Sequence, residues 1–219
     1  MLHNMGELMK VLAINGSSLK DGNVKFGLNL MKEILENQGI EVEVFDIGTK
    51  PFHQCIDCHR CFREKDGKCV FTDDPVNEIF AKFKEVDGLI LGSPIHFAGM
   101  AGGFKALLDR LFYVNVANGN VLRHKVGVSF GAVRRAGGIE ACDQMNKYLQ
   151  YAEMIIPTSD YWNVIFGASK GESSKDTEGI RILQNLAQNM AWSLKLVENG
   201  KNTVEEPKEI KSKMLNMIR

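Results

Sequence analysis

MKVLAINGSSLKDGNV, residues Met9 to Val24, decides the fold. Met9 to Ile14 is a short, nearly continuous apolar run, the pattern of a strand covered on both faces. From Asn23 the pattern changes: Val24, Leu28, Met31 and Leu35 recur at helical spacing, and Gly39 supplies a stop. Between the two, seven of the ten residues from Asn15 to Val24 are Gly, Ser, Asn or Asp. A strand therefore passes through a small, polar loop straight into a helix. The N-terminus of such a helix offers unpaired N–H groups and a partial positive charge, which together seat an anion. Small residues let the backbone come close, Ser17, Ser18 and Asn23 add side-chain donors, and Lys20 adds a charge.

Spacing narrows the anion. A Walker A loop needs GxxxxGK[ST], with four residues between its glycines, whereas five residues separate Gly16 from Gly22 and no Lys-Ser or Lys-Thr follows. The dinucleotide fingerprint GxGxxG is absent, and no cysteine has an arginine six positions later, as a cysteine phosphatase requires. A terminal phosphate monoester held by hydroxyls and amides fits what remains. The plainer alternative is an ordinary βα turn capped by Asp21 or Asn23, although such turns usually run about 2–6 residues.

Working outward, Val42 to Phe45 alternates as a second strand. Asp74 and Pro75 open a helix through Ile79, Phe80 and Phe83. Gly88 to Gly92 reads as a third strand and Val126 to Phe130 as a fourth, with a fifth inside Met154 to Phe166. Phe104, Leu107, Leu108, Leu111 and Phe112 mark an amphipathic helix, and Ile139 to Tyr151 marks another. A long helix carries Leu183 to Val197 and ends near Gly200, and a last helix is expected from Lys208 onward.

Alternating strands and helices predict an α/β fold, a doubly wound parallel sheet with helices on both faces. Five strands favour the flavodoxin-like order 2-1-3-4-5 over the six-stranded dinucleotide fold. Ligands of that order bind where strands one and three diverge, between the loops Gly16–Asn23 and Ser93–Gly103, with Gly131–Gly138 beside them. The chain reads as one domain over 1–219, with a cysteine-rich insertion loop at 51–72 and a C-terminal helical extension at 176–219.

Composition argues against some functions. The 219 residues carry 27 Lys+Arg against 27 Asp+Glu, so the basic excess that nucleic-acid binding needs is missing. No apolar run approaches the roughly 18 residues of a membrane span, and the segment MLHNMGEL lacks the pattern of a signal peptide. A cytoplasmic protein is expected, in which thiols stay reduced. Four of the five cysteines lie close together as Cys55-x2-Cys58-x2-Cys61-x7-Cys69. Three at intervals of three with a fourth at a distance can wrap a [4Fe–4S] cubane. Zinc more often takes two separate CxxC turns, and empty thiols are the third reading. Cys142 stands apart and reads as a buried small hydrophobe.

Three stretches in order resemble the NAD(P)H-dependent FMN reductase and multimeric flavodoxin-like superfamily, in its iron–sulfur flavoprotein branch. GSSLKDGNV resembles that family's GSPRxxGNT phosphate loop. SPIHFAGMAGGFKALLDRL, Ser93 to Leu111, resembles its SPxYxxxxSxxLKxxxDR flavin segment, and CIDCHRCFREKDGKCVFTDD, Cys55 to Asp74, resembles its cysteine loop. The resemblance implies bound FMN and homodimers or homotetramers. By position it assigns the phosphate to Ser17, Lys20, Asn23 and the amide of Val24, with Ser18 beside them, and the flavin ring to Ser93, Pro94, Ile95, His96 and Phe97. The far side would be closed by Gly131, Arg134 and Gly137, and a cluster would fall to Cys55, Cys58, Cys61 and Cys69. Two residues depart from the pattern: Val24 replaces the usual Thr, and His96 replaces an aromatic Tyr. His96 is a candidate for contact with the flavin and for a catalytic role.

The expected activity is FMN-dependent redox transfer from NAD(P)H or a reduced carrier to a quinone, flavin, nitro compound or metal. The alternative is a single-electron carrier exchanging with ferredoxin through FMN and a cluster. Arg134 and Arg135 are candidates for pairing with reduced flavin or a nucleotide phosphate. Lys105, Asp109 and Arg110 are expected to form an ion network along one helix or at an interface. Tyr161 and Trp162 pack near the crevice or between subunits.

Overall fold

The computed structural model describes residues 8–208 and residue 210, and it alternates strand and helix from the start. The order is β1 (Lys10–Asn15), α1 (Asn23–Glu36), β2 (Glu41–Asp46), α2 (Arg60–Glu64), α3 (Val76–Phe83), β3 (Gly88–His96) and β4 (Gly99–Met100). There follow α4 (Gly102–Ala117), β5 (Val126–Val133), α5 (Gly138–Tyr151), β6 (Val164–Phe166), a 3-10 turn (Glu172–Lys175) and α6 (Thr177–Gly200). Five strands pair in parallel in the order β2-β1-β3-β5-β6, and β4 folds back antiparallel on the end of β3. With that hairpin strand set aside, this is the expected 2-1-3-4-5 order.

The near-continuous apolar reading of β1 has a simple cause: its side chains alternate between two covered faces. Val11 and Ala13 join the layer that packs under α1 and α6, whereas Leu12 and Ile14 join the layer under α3, α4 and α5. Gly92 lets α1 sit close to the sheet, since a Cβ there would lie 2.8 Å from Val24 Cγ1 and 3.0 Å from the Phe130 ring. Val24 is itself buried in this layer.

Several boundaries differ from the sequence reading. β3 runs four residues beyond Gly92, so Ser93, Pro94, Ile95 and His96 lie on a strand and not in a loop. The cause is pairing on both sides: Ser93 and Pro94 lie opposite Gly131 and Ala132 of β5, and Ile95 and His96 opposite Met100 and Gly99 of β4. That pairing takes Gly131 out of its loop, and pairing with Phe166 of β6 carries β5 on to Val133. The fifth parallel strand occupies only Val164–Phe166, while Ile155 makes an isolated bridge to Val126. α2, five residues long, is too short to leave a periodic signal. The helix expected from Lys208, and with it the end of the 176–219 extension, falls largely outside the described residues. Among the described residues, no helix is long and apolar enough to cross a membrane.

Candidate functional site

Asn15, the last residue of β1 and fully buried, organises the loop that follows. Its Oδ1 accepts from the Ser17 amide at 3.1 Å, and its Nδ2 donates to Asp46 Oδ1 at 2.8 Å, tying the loop to the end of β2. Lys25 Nζ holds the same Asp46 at 2.9 Å. Ser17 Oγ accepts from the Leu19 amide at 3.1 Å. The turn ends at Gly22, the N-cap of α1, where no side chain caps the helix and the first turn holds no acidic residue. An uncapped N-terminus of a 14-residue helix, at the divide between β1 and β3, is an electropositive seat. Lys20 and Ser18 stand exposed beside it.

The carboxamide of Asn23 is engaged elsewhere. Nδ2 donates to the carbonyls of Gly167 and Ser169 at 3.3 and 3.0 Å, and Oδ1 accepts from the Ser173 amide at 3.3 Å. Asn23 thus pins the segment after β6 against the start of α1. Asp21 pairs with Lys170 of that segment, and this hydrogen bond lowers the Asp21 carboxyl below its usual value.

Across the divide, the end of β3 forms a two-residue hairpin. Phe97 and Ala98 both have positive φ, 50° and 59°, as a turn matched to strand twist requires but side chains resist. Phe97 is fully exposed at the tip. Gly137, at φ 87°, admits the hairpin: a Cβ there would lie 2.4 Å from Ala98 Cα. Between this hairpin and the first loop lies an open cleft of about 200 Å³ walled by Gly16, Ser18, Pro94, His96, Gly103 and Phe104. Its remaining wall is Ile47 to Phe52, the segment after β2, together with Ala101. Ser93 is fully buried and positions the cleft from below, its Oγ accepting from the Ala101 amide at 3.1 Å.

Gly131 is buried in β5 with a virtual Cβ 2.9 Å from Ile95 Cδ1, and Arg134 and Arg135 are exposed after the strand. Arg135 and Gly137 border a second cavity of about 320 Å³ on the β6 side, which also contains Tyr161, Trp162 and Phe166. Tyr161 and Trp162 are both more than half exposed there, at 61% and 57%.

The cysteine segment closes on α4. Cys55, Cys58, Cys61 and Cys69 line one small concavity with Arg110 and Tyr113. Asp57 and His59 adopt left-handed conformations, φ 51° and 53°, so the chain turns tightly between successive cysteines. Backbone of this kind turns N–H groups toward a shared anion, a geometry common at iron–sulfur sites. Among the described residues, no three His, Cys, Asp or Glu side chains are gathered closely enough for a single metal ion. A cubane sets its four thiolates at separate corners, a wider spread than one tetrahedral ion accepts. Four cysteines around one hollow match a cubane in the number and kind of ligands it takes. Burial pushes the Cys61 thiol up, against the backbone N–H groups of Phe62 and Cys61. Burial and the nearby Asp57 carboxylate push the Tyr113 phenol up as well.

Arg110 does not join the expected network with Lys105 and Asp109. Those two pair at 2.9 Å one helical turn apart, with Tyr148 Oη on the same carboxylate. Arg110 follows Asp109 directly and so faces another side of α4, where it is buried against Asp74. Asp74 Oδ1 also accepts from the Val76 amide at 3.2 Å, as its place before α3 suggests. Cys142 is buried, donates to the Asn163 carbonyl at 3.2 Å, and lies apart from the other four.

Of the residues singled out from sequence, Ser18, Pro94 and His96 meet in the cleft, and the four cysteines meet at the concavity. Sequence patterns miss Asn15, the wall formed by residues 48–52 and the Arg110–Asp74 pair. Asn15 leaves one signal, a polar residue closing an apolar strand just before glycine. The other two depend on contacts between distant segments.

The NADPH-dependent FMN reductase family matches residues 9–169. An iron-sulfur flavoprotein of Methanocaldococcus jannaschii is 34% identical over 197 residues, covering 87% of this chain and 100% of the relative. Among solved structures, RosB with bound 8-demethyl-8-formylriboflavin-5'-phosphate aligns with TM-score 0.65 at 15% identity, over 96% of this chain and 92% of that one. A flavodoxin from the domain Archaea aligns with TM-score 0.54 at 16% identity, over 85% and 99%. These structures share the fold, and the family match spans both the loop after β1 and the cleft residues. The chain belongs to the NADPH-dependent FMN reductase family.

Proposed function

We propose that this chain binds FMN in the cleft between the β1 and β3 loops and acts as an oxidoreductase. The observation that carries this reading is the uncapped, acid-free start of α1 beside an open cleft at the sheet's divide. The amides at the start of α1, with Ser17, Ser18 and Lys20, hold the phosphate; the Asn23 side chain braces the loop while its backbone stays available. Pro94 and His96 border the ring on one side, Ile95 packs on Gly131 behind it, and Phe97, Arg134 and Gly137 form the rim. When bound, FMN supplies the hydride and single-electron chemistry, and the protein contributes position and electrostatics. NAD(P)H or a reduced carrier is the donor, and a quinone, flavin, nitro compound or metal centre the acceptor. Exposed Phe97, Tyr161 and Trp162 support assembly as a homodimer or homotetramer.

The test is direct. Anaerobically purified protein is expected to be yellow, to release FMN on denaturation, and to bind FMN far more tightly than riboflavin, which lacks the phosphate. Colourless protein that gains no flavin absorbance on titration with FMN overturns the reading.

A second reading, an electron carrier pairing FMN with a [4Fe–4S] cluster and serving a ferredoxin, is favoured by one observation. The four thiols share a concavity, and the segment leading to them, Pro51 and Phe52, walls the flavin cleft. Cys55, Cys58, Cys61 and Cys69 would be the ligands. Four irons and four sulfides per chain are expected after anaerobic reconstitution, with loss in Cys58→Ser. Stoichiometric zinc or no metal sinks it.

A further inference from the structure

Arg110 and Asp74 form a buried ion pair, each side chain only 1% exposed. Burying two charges costs more than their attraction usually returns, so such a pair invites a reason beyond stability. The remaining donors of the guanidinium supply one. Nε lies 3.2 Å from Cys69 Sγ, and Nη1 reaches the His53 carbonyl at 3.3 Å as well as Asp74. Nη2 completes the fork to Asp74 Oδ1 at 3.2 Å, and Phe71 covers the guanidinium face at 4.9 Å. The cation is thus fixed in position and withdrawn from water, with one N–H committed to a sulfur that lines the cysteine concavity.

We propose that Arg110 is a positioning residue that sets the reduction potential of the centre held by the cysteine loop, by donating a charge-assisted N–H···S hydrogen bond to Cys69. This inference rests on the cluster reading above. Reduction adds one electron, delivered by a one-electron donor, and spreads the added negative charge partly onto the ligand sulfurs; no bond forms or breaks. A hydrogen bond and a fixed positive charge at one sulfur stabilise the reduced form and raise the potential. Asp74 opposes this charge while holding Arg110 in place, so the two residues pull the potential in opposite directions.

That opposition gives the test. Wild type, Arg110→Lys and Asp74→Asn are reconstituted anaerobically, assayed for iron, sulfide and FMN, and titrated electrochemically with the reduced cluster followed by electron paramagnetic resonance. Arg110→Lys keeps the charge but loses the planar N–H fork, and its one-electron reduction equilibrium is expected to become about tenfold less favourable, ~59 mV for one electron. Asp74→Asn is expected to shift it the other way. A merely structural role predicts no shift in fully loaded protein, or shifts of the same sign. Should Arg110→Lys fail to fold, the neutral pair Arg110→Gln with Asp74→Asn removes both buried charges and the fork together, and it too is expected to lower the potential. Full cluster loading with an unchanged potential overturns the role of Arg110 alone. A wild type that takes up no iron and sulfide overturns the cluster reading, and this inference with it.

Discussion

The amide of Gly16 donates to the carbonyl of Gly92 across 2.7 Å, locking the turn after β1 to the middle of β3. A Cβ at residue 16 would meet the Phe104 ring at 2.5 Å and that same carbonyl at 2.7 Å. Gly16→Ala must therefore push apart the two walls of the cleft. The expected cost is about 1–3 kcal/mol, the range for overpacking, with each kcal/mol lowering the melting temperature by roughly 2–4 °C in a domain this size. Flavin content should fall in parallel. Unchanged melting and full flavin occupancy would show that the close approach is not needed.

Asn15→Ala removes the acceptor for the Ser17 amide and the link to Asp46 together. Leaving a buried donor without a partner costs about 1–3 kcal/mol. In the proposed function this loop holds the FMN phosphate and its shape depends on these bonds, so FMN affinity should drop roughly tenfold or more, read by fluorescence titration. Loss of stability with intact affinity would limit Asn15 to a structural role.

Val24→Thr separates packing from binding. Val24 is 2% exposed and its Cγ1 fills the space over Gly92. A hydroxyl placed there loses about 1 kcal/mol of stability because Val and Thr are not interchangeable in a core. FMN affinity should rise severalfold if the hydroxyl reaches the phosphate. Isothermal titration set against thermal melting resolves the two effects.

Ala98→Gly should stabilise the hairpin. Left-handed backbone costs a side chain roughly 1–2 kcal/mol, and Ala98 sits at φ 59°. Part of that gain is lost to the greater freedom of glycine in the unfolded chain, so a net stabilisation near 0.5–1 kcal/mol is expected by denaturant titration. Destabilisation would mean that the Ala98 methyl packs usefully.

Stability at high pH should depend on Cys142. Burial pushes this thiol from 9.0 up to about 12. The folded state holds the proton more tightly than the unfolded chain, so the contribution is complete below pH 9 and is lost as pH rises toward 12. At pH 10.5 the loss is on the order of 2 kcal/mol relative to pH 8. Tyr148, whose phenol is pushed up by burial and by Asp109, adds to the same slope. Urea unfolding at the two pH values should show a smaller drop in Cys142→Ala than in wild type.

Part of the site is legible in the sequence. The loop from Asn15 to Asn23 is readable because strand, polar turn and helix are contiguous, so composition and periodicity report them directly. Cys55, Cys58 and Cys61 are readable for the same reason, with a spacing of three. The end of β3 reads wrongly as a loop because Ser93 and Pro94 look like turn residues until β5 pairs with them and β4 pairs with Ile95 and His96 just beyond. Arg110 looks like one more charge in a helix, because nothing local announces a partner 36 residues away.

Local periodicity and loop chemistry in this chain determined the α/β class, the strand order and the small polar loop between β1 and α1. Those properties follow from residues a few positions apart, whose side chains must face the core or the solvent. Tertiary structure alone decided that Asn23 would brace the segment after β6, that residues 48–52 would wall the cleft, and that Arg110 would turn its charge toward Cys69. Each of these rests on a hydrogen bond or contact between distant parts of the chain, and only packing both faces of the sheet brings those parts together.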